Sequence, residues 1–217
     1  MAPEDENLLD PQEQDRADAA QAWRWVAVAA VTANATWGYL AQAIGFGEGS
    51  NADISARYPT RFTPAGYAFS IWGVIYLGFL AAAIGMLLPS HRSREVHDEL
   101  APRLSVSMLL CAVWVTVFQL DQIDASLAVM VALVALAGTM YKRVARAVDA
   151  GTLRLRWRIP FSIYLAWLVV ASAANLQVVL VAHGHTWPQA SGSRTAPTRR
   201  RARRACTSCP RGRRARP

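Results

Sequence analysis

Five long stretches of this chain, residues 26–47, 62–90, 104–120, 125–141 and 159–182, contain no Asp, Glu, Lys, Arg or His. That absence argues against ion- or proton-coupled transport, which needs ionisable groups inside the membrane. The four histidines (His91, His97, His183, His185) lie in linkers or at the ends of these stretches, which argues against deep axial ligation of haem iron by histidine. No pair of carboxylates, Ser-His-Asp set or phosphate-cradling glycine loop can be assembled at one depth, so no catalytic residues are expected and the chain is not read as an enzyme. Cysteine is scarce. Cys111 sits inside an apolar block, and Cys206 and Cys209 form a lone CxxC that would need two more ligands to hold zinc, so neither a disulfide framework nor a metal site is expected. Lysine is almost missing: Lys142 stands against 22 arginines, a bias that suggests a GC-rich coding sequence more than a function. The first 21 residues lack the basic start and apolar core of a secretory signal.

What is present is apolar sequence gathered into blocks. The chain is 53% hydrophobic over 217 residues, and nearly all of that content lies in five uninterrupted segments separated by charged linkers. In hydrocarbon every backbone polar group must be satisfied internally, so only helices or closed barrels span, and no period-2 alternation supports a barrel. The expected fold is all-α: a polytopic membrane protein, a five-transmembrane-helix bundle with spans at about 22–44, 67–88, 104–120, 125–141 and 159–182. Residues 1–21 read as a disordered acidic leader. Trp23 and Trp25 around Arg24 fit an interfacial belt, and the polar connection 45–65 is long enough to act as a lid. The short turn Asp121 to Asp124 makes the third and fourth spans an antiparallel hairpin.

The net charge of +8 is misleading. Of 23 basic groups, ten are arginines after His183, which leaves 13 bases against 15 acids in residues 1–183. A nucleic-acid partner would rest on that tail alone and is not expected. The linkers on one side of a five-span bundle carry 2, 3 and 6 basic residues, against Arg57 and Arg61 on the other side, so the amino terminus is expected in the cytoplasm. This orientation puts the arginine-rich tail, 184–217, outside, against the same rule. Either the tail is not native-like, or an altered reading frame of a GC-rich gene has replaced further spans.

The stretch Phe62 to Tyr76, FTPAGYAFSIWGVIY, organises the rest. Phe69, Trp72 and Tyr76 fall near one helical face, where they could stack on a flat ligand or simply pack against neighbouring helices. Trp114 and Phe118 repeat the spacing of four in the third span. Asn34 and Asn175 are buried amides that need partners, either between helices or on a ligand. Leu136 to Arg143 fits the loose sterol-contact pattern through Tyr141, a pattern that arises by chance at many helix ends.

Over roughly residues 25–183 the chain resembles the TspO/translocator-protein family, the tryptophan-rich sensory proteins. Phe62, Pro64, Tyr67, Phe69, Trp72 and Tyr76 follow that family's second-span motif, with Ala65 in place of its second proline and a Phe69-to-Trp72 gap one residue shorter. Trp167, Ala171 and Asn175 reproduce its fifth-span motif without a gap, whereas Cys111 stands where the family prefers Asn before Trp114. These departures suggest a divergent branch. The resemblance implies a five-helix bundle, often dimeric, that binds tetrapyrroles or sterol-like molecules below its first loop, with no required cofactor. The residues then expected to touch the ligand are Trp37, Arg57, Arg61, Phe62, Pro64, Tyr67, Phe69, Trp72, Tyr76, Cys111, Trp114, Phe118, Tyr164, Trp167, Ala171 and Asn175. The partners expected are the bilayer, the small hydrophobic ligand and a second copy. The alternative is a structural or assembly protein whose aromatics only pack helices.

The distribution of basic linkers makes the orientation testable. An amino-terminal reporter should read as cytoplasmic, and a tag inserted between Gly47 and Ala56 should be cut by external protease in intact cells. Protection of that tag would overturn the orientation.

Overall fold

The computed structural model describes residues 10–58, 60, 65–88 and 94–185. Among them are six α-helices: α1 (Pro11–Ile44), α2 (Asn51–Arg57), α3 (Ile71–Leu87), α4 (Arg94–Gln119), α5 (Ile123–Asp149) and α6 (Arg158–Ala182). Short 3-10 segments, Gly66–Ser70 and Leu155–Trp157, lead into α3 and α6. Among the described residues there is no strand. The five long helices pack in a closed ring, α1 on α4, α4 on α5, α5 on α6, α6 on α3 and α3 back on α1, with the short α2 resting on α4.

Four segments are long and apolar enough to cross a bilayer: Gly66–Leu87, Glu95–Gln119, Ile123–Asp149 and Leu155–Ala182. The expected count of five is thus met in four. Helix α1 falls short by composition because Thr32, Asn34, Thr36 and Gln42 dilute its apolar half. It also starts well before the expected residue 22. The Asp10 side chain accepts the Gln12 N–H at 3.3 Å, Pro11 occupies the first turn, and an alanine-rich run follows, so the acidic leader is helical from Pro11 onward. Residues 1–9 of that leader, and the tail from residue 186, lie outside the described residues.

The expected linkers 89–103 and 142–158 also fold further into helix than their charge suggests. Helix α4 begins at Arg94 and α5 continues to Asp149. Their charged turns pair with each other: Arg143 donates to Glu99 at 2.8 Å and lies 3.5 Å from Glu95, while Arg103 donates to Glu99 at 3.1 Å. The apolar stripe continues underneath. In α5 the buried positions Ile123, Ser126, Met130, Leu133, Ala137, Met140, Val144 and Ala147 recur at intervals of three and four without a break across Tyr141. Pro102 is accommodated inside α4.

Helix α1 carries a similar stripe of Arg24, Ala27, Val31, Asn34 and Ala41. Between these, a Cβ on Gly38 would sit 3.1 Å from the Tyr76 hydroxyl, so a larger residue there would require the Tyr76 ring to give way. Arg24 is the exception in the stripe, a cation 5% exposed. It is tolerated because its Nε donates to Asp98 at 3.0 Å, its Nη2 donates to the same carboxylate, and Nη1 reaches Gln21 at 3.2 Å.

Removing the anion while leaving Arg24 buried should cost more than breaking an exposed pair. Asp98→Asn is expected to lower stability by about 1–3 kcal/mol, discounted because Asp98 is partly exposed. Arg103→Gln should cost less than about 1 kcal/mol. Thermal melts of the detergent-solubilised chain compare the two, and equal midpoints would show that the Arg24 contact carries no special weight.

Candidate functional site

Trp72, in the first turn of α3, is the hub of an aromatic cluster built from three helices. Its ring stacks on Tyr76 one turn later (centroids 5.6 Å apart, 26° between planes) and faces Trp114 of α4 at 6.1 Å. Tyr164 and Trp167 of α6 meet it edge-on at 6.4 and 6.5 Å. Trp114 stacks in turn on Phe118 at 5.5 Å. Beneath them, Phe79 packs edge-on against Tyr164 and Phe161 at 4.9 and 5.3 Å, and the Tyr164 hydroxyl is 2.8 Å from Ser107 Oγ. These edge-on and offset arrangements are the ones favoured by the ring quadrupole.

A cavity opens beside this cluster, lined by Phe69, Trp72, Trp114, Phe118, Trp167, Ala171 and Asn175, together with Val170, Ala174 and Val178 of α6 and Ser55 and Thr60 of the first loop. Its volume is only about 30 Å³, because the rings fill most of the space between the helices. A second cavity of about 220 Å³ lies against Gly38, Gln42, Asn51, Tyr76 and Val115, and Phe69 and Trp72 line both. These two rings form the partition. The Phe69-to-Trp72 spacing of three works here because Phe69 sits in the 3-10 segment, where residues three apart eclipse.

The polar atoms facing this region are few. Trp114 Nε1 and Trp167 Nε1 are buried with no hydrogen-bond partner. One end of the Asn175 amide lies 3.1 Å from Ser126 Oγ, while its other end is buried and unpartnered. Trp114, Trp167 and Asn175 all line the first cavity, and an acceptor beside these atoms would complete their bonding.

The first loop closes the same end of the bundle. Ser50 caps α2, its hydroxyl accepting the Asp53 N–H at 3.2 Å while the Asp53 carboxylate accepts the Ser50 N–H at 2.9 Å. The Ser50 hydroxyl and N–H hold the Asp53 carboxyl below its usual range. Asn51 and Ile54 are buried beneath α2. Asn51 N–H donates to Gln42 Oε1 at 3.0 Å, and Asn51 Oδ1 accepts from Gln119 Nε2 at 3.0 Å, which ties the loop to α1 and α4. Glu48 N–H adds a bond of 2.8 Å to the Gln119 carbonyl.

Of the sequence-expected residues, the fold brings Phe69, Trp72, Trp114, Phe118, Trp167, Ala171 and Asn175 to the first cavity and Tyr76 to the second. Tyr164 supports Trp72 from below, and Cys111 is fully buried without lining either cavity. Trp37 instead packs edge-on against Phe46 at 5.2 Å. Tyr67 is 83% exposed, since the 3-10 segment turns it away from the face that Trp72 presents. Arg57 is engaged with the Glu48 carbonyl and carboxylate and lies 3.9 Å from Asp121, so it is not free at a mouth. Arg61, Phe62 and Pro64 lie outside the described residues. Ser55, Thr60, Val170, Ala174 and Val178 were not anticipated. The α6 members follow from Trp167 at intervals of three and four, and α2 was legible in the Ser50-x-x-Asp53 capping box. Among the described residues no group of His, Cys, Asp and Glu could hold a metal ion.

A family model described as TSPO-like protein matches residues 24–196, most of the chain and some way past His183. The chain belongs to that family. No curated protein and no solved structure matches it.

The loop attachment depends on Gly47, at φ +70°, where a Cβ would lie 2.7 Å from the Gln119 carbonyl oxygen. Gly45 has the same φ but open surroundings. Gly47→Ala should therefore combine a left-handed backbone penalty of about 1–3 kcal/mol with loss of the loop's seat on α4, and Gly45→Ala the backbone penalty alone. Limited proteolysis within residues 45–58 is expected to speed up much more for Gly47→Ala. Equal rates for the two variants would show that the loop is not held at this point.

Proposed function

We propose that this member of the TSPO-like family captures a flat hydrophobic ligand, a tetrapyrrole or a sterol-like molecule, at the aromatic cluster around Trp72, for sensing or facilitated movement. The observation that carries the reading is the pair of buried, unpartnered indole N–H groups of Trp114 and Trp167, joined by the free end of the Asn175 amide, in a cavity walled by rings. A ligand presenting oxygen or nitrogen acceptors within an apolar disc would satisfy them and stack on the rings in one pose. The ring contacts leave little room, so binding would have to part Phe69 and Trp72 and merge the two cavities they separate. No Asp, Glu, His, Lys or Arg side chain lines either cavity, and the reading is one of binding with no cofactor called for. In this reading α1 is a fifth crossing, shielded by α3 and α4, and the amino terminus is cytoplasmic.

The close ring contacts themselves favour a second reading, in which the aromatics only pack helices and the protein serves assembly. Titration of the purified protein with protoporphyrin, followed by tryptophan quenching, separates the two. Trp72→Ala and Ala171→Leu should each weaken binding at least about tenfold, since one or two aromatic stacking contacts are worth about 1.4 kcal/mol. Arg57→Gln, at a residue already engaged with Glu48 and near Asp121, should have a smaller effect, within about 1 kcal/mol. If Trp72→Ala and Ala171→Leu bind like the parent while retaining its melt, the site lies elsewhere, and if the parent shows no saturable quenching, the packing reading stands.

A further inference from the structure

A third cavity lies on a different part of the bundle and shares no lining residue with the aromatic site. It is a groove of about 450 Å³ between α3 and the start of α6, bounded by Gly78, Ala81, Ala82 and Gly85 on one side and by Arg156, Trp157, Ile159 and Pro160 on the other. The α3 residues recur at intervals of three, one and three, which sets them on one helical face. The two glycines are closely approached. A Cβ on Gly78 would lie 3.0 Å from Pro160 Cβ, and one on Gly85 would lie 3.1 Å from the Trp157 ring. The wall opposite is fixed, because the Trp157 ring is backed by the buried His97 ring at 4.7 Å.

The flanks of this groove are apolar and outward-facing: Leu77 is 70% exposed, and Ile84 and Ile159 are also exposed. In a membrane protein such a surface meets acyl chains. One end of the groove is different, because Arg156 lines it and is exposed. The other arginine of that segment with a resolved role, Arg158, is already engaged with the Tyr141 hydroxyl at 2.8 Å and with Asp149 at 3.8 Å, whereas Arg156 has no ion pair among the described residues. An apolar channel ending at an uncompensated guanidinium matches a molecule with a hydrocarbon chain and an anionic head.

We propose that the α3/α6 groove is a binding site for an anionic phospholipid, with an acyl chain along Gly78, Ala81, Ala82 and Gly85 and the headgroup phosphate on Arg156. The positive-inside orientation would place this end in the cytoplasmic leaflet, where anionic lipids are concentrated. The groove itself does not depend on that orientation or on the aromatic site.

The full chain is reconstituted into nanodiscs of equimolar phosphatidylglycerol and phosphatidylcholine, and the lipids retained after release are counted by native mass spectrometry. The parent should retain phosphatidylglycerol in preference by about fivefold, the ratio expected from one Lys/Arg at an anionic surface. Arg156→Gln should bring the ratio close to parity, and Ala81→Phe, which fills the groove from an exposed position, should reduce the number of retained lipids. Arg146→Gln, at an exposed α5 position that does not line the groove, should leave the preference intact. An absence of preference in the parent, a preference that survives Arg156→Gln, or an equal loss with Arg146→Gln would each overturn the site, the last by showing only diffuse attraction.

Discussion

Among the described residues charge is confined to the two ends of the bundle, and the rest of the architecture follows from that segregation. At one end Arg24 pairs with Asp98, Arg143 with Glu99 and Glu95, and Arg158 with Tyr141 and Asp149. At the other, Arg57 meets Glu48 and Asp121, and His183 lies 3.3 Å from Asp124. The first collar joins the N-terminal parts of α1 and α4, which run parallel, to each other, and the end of α5 to the starts of α4 and α6, which run antiparallel to it. Between the collars the helices have only van der Waals contact and a few hydroxyl and amide bonds to hold them, because lipid offers no hydrophobic driving force for helix association. Hence the small residues where helices come closest: Gly38 against Tyr76, Gly78 against Pro160 and Gly85 against Trp157.

The absence of charge made the spans legible, and the presence of charge obscured where they end. Residues 94–103 and 142–149 read as linkers because they are rich in Arg and Glu, yet these same residues pair across α4 and α5 and extend both helices. A single sequence shows charges but not their partners. The apolar residues Val96, Leu100, Val144 and Ala147 were the available sign that the buried stripe continues. The start of α1 was missed for a related reason: acidity was weighed above the Asp10-Pro11 capping signal. Helix α1, expected as a span from its apolar residues, is less apolar than the other four long helices because of its Asn, Gln and Thr.

At the site, helical spacing was enough to group Trp167, Ala171 and Asn175 and to pair Trp114 with Phe118. What it could not show was the 3-10 segment before α3. With three residues per turn, that segment carries Phe69 onto the Trp72 face despite the shortened gap and carries Tyr67 off it. A departure from the family spacing is thus absorbed by a change of helix type, and the ring positions survive. The partners of Arg57 are not legible in the sequence, because Asp121 approaches it only once the α4–α5 turn folds against the first loop.

Phe69 and Trp72 have consequences beyond their place in the cluster, since they line two cavities that they alone keep apart on the α3 side. Moving a ring within a close-packed core requires neighbours to yield, and most of the neighbours here are fixed: Tyr164 by Ser107 and Phe79, and Trp114 by Phe118. The side that can yield is the first loop. Ser55 and Thr60 line the first cavity and Asn51 the second, and all three belong to the segment attached through Gly47, Glu48 and Asn51 to the end of α4. The segment that contributes to both cavities is thus held to α1 and α4 by polar contacts. The Gln42–Asn51–Gln119 bonds that secure it are themselves incomplete, with Asn51 Nδ2 and Gln119 Oε1 buried and unpartnered.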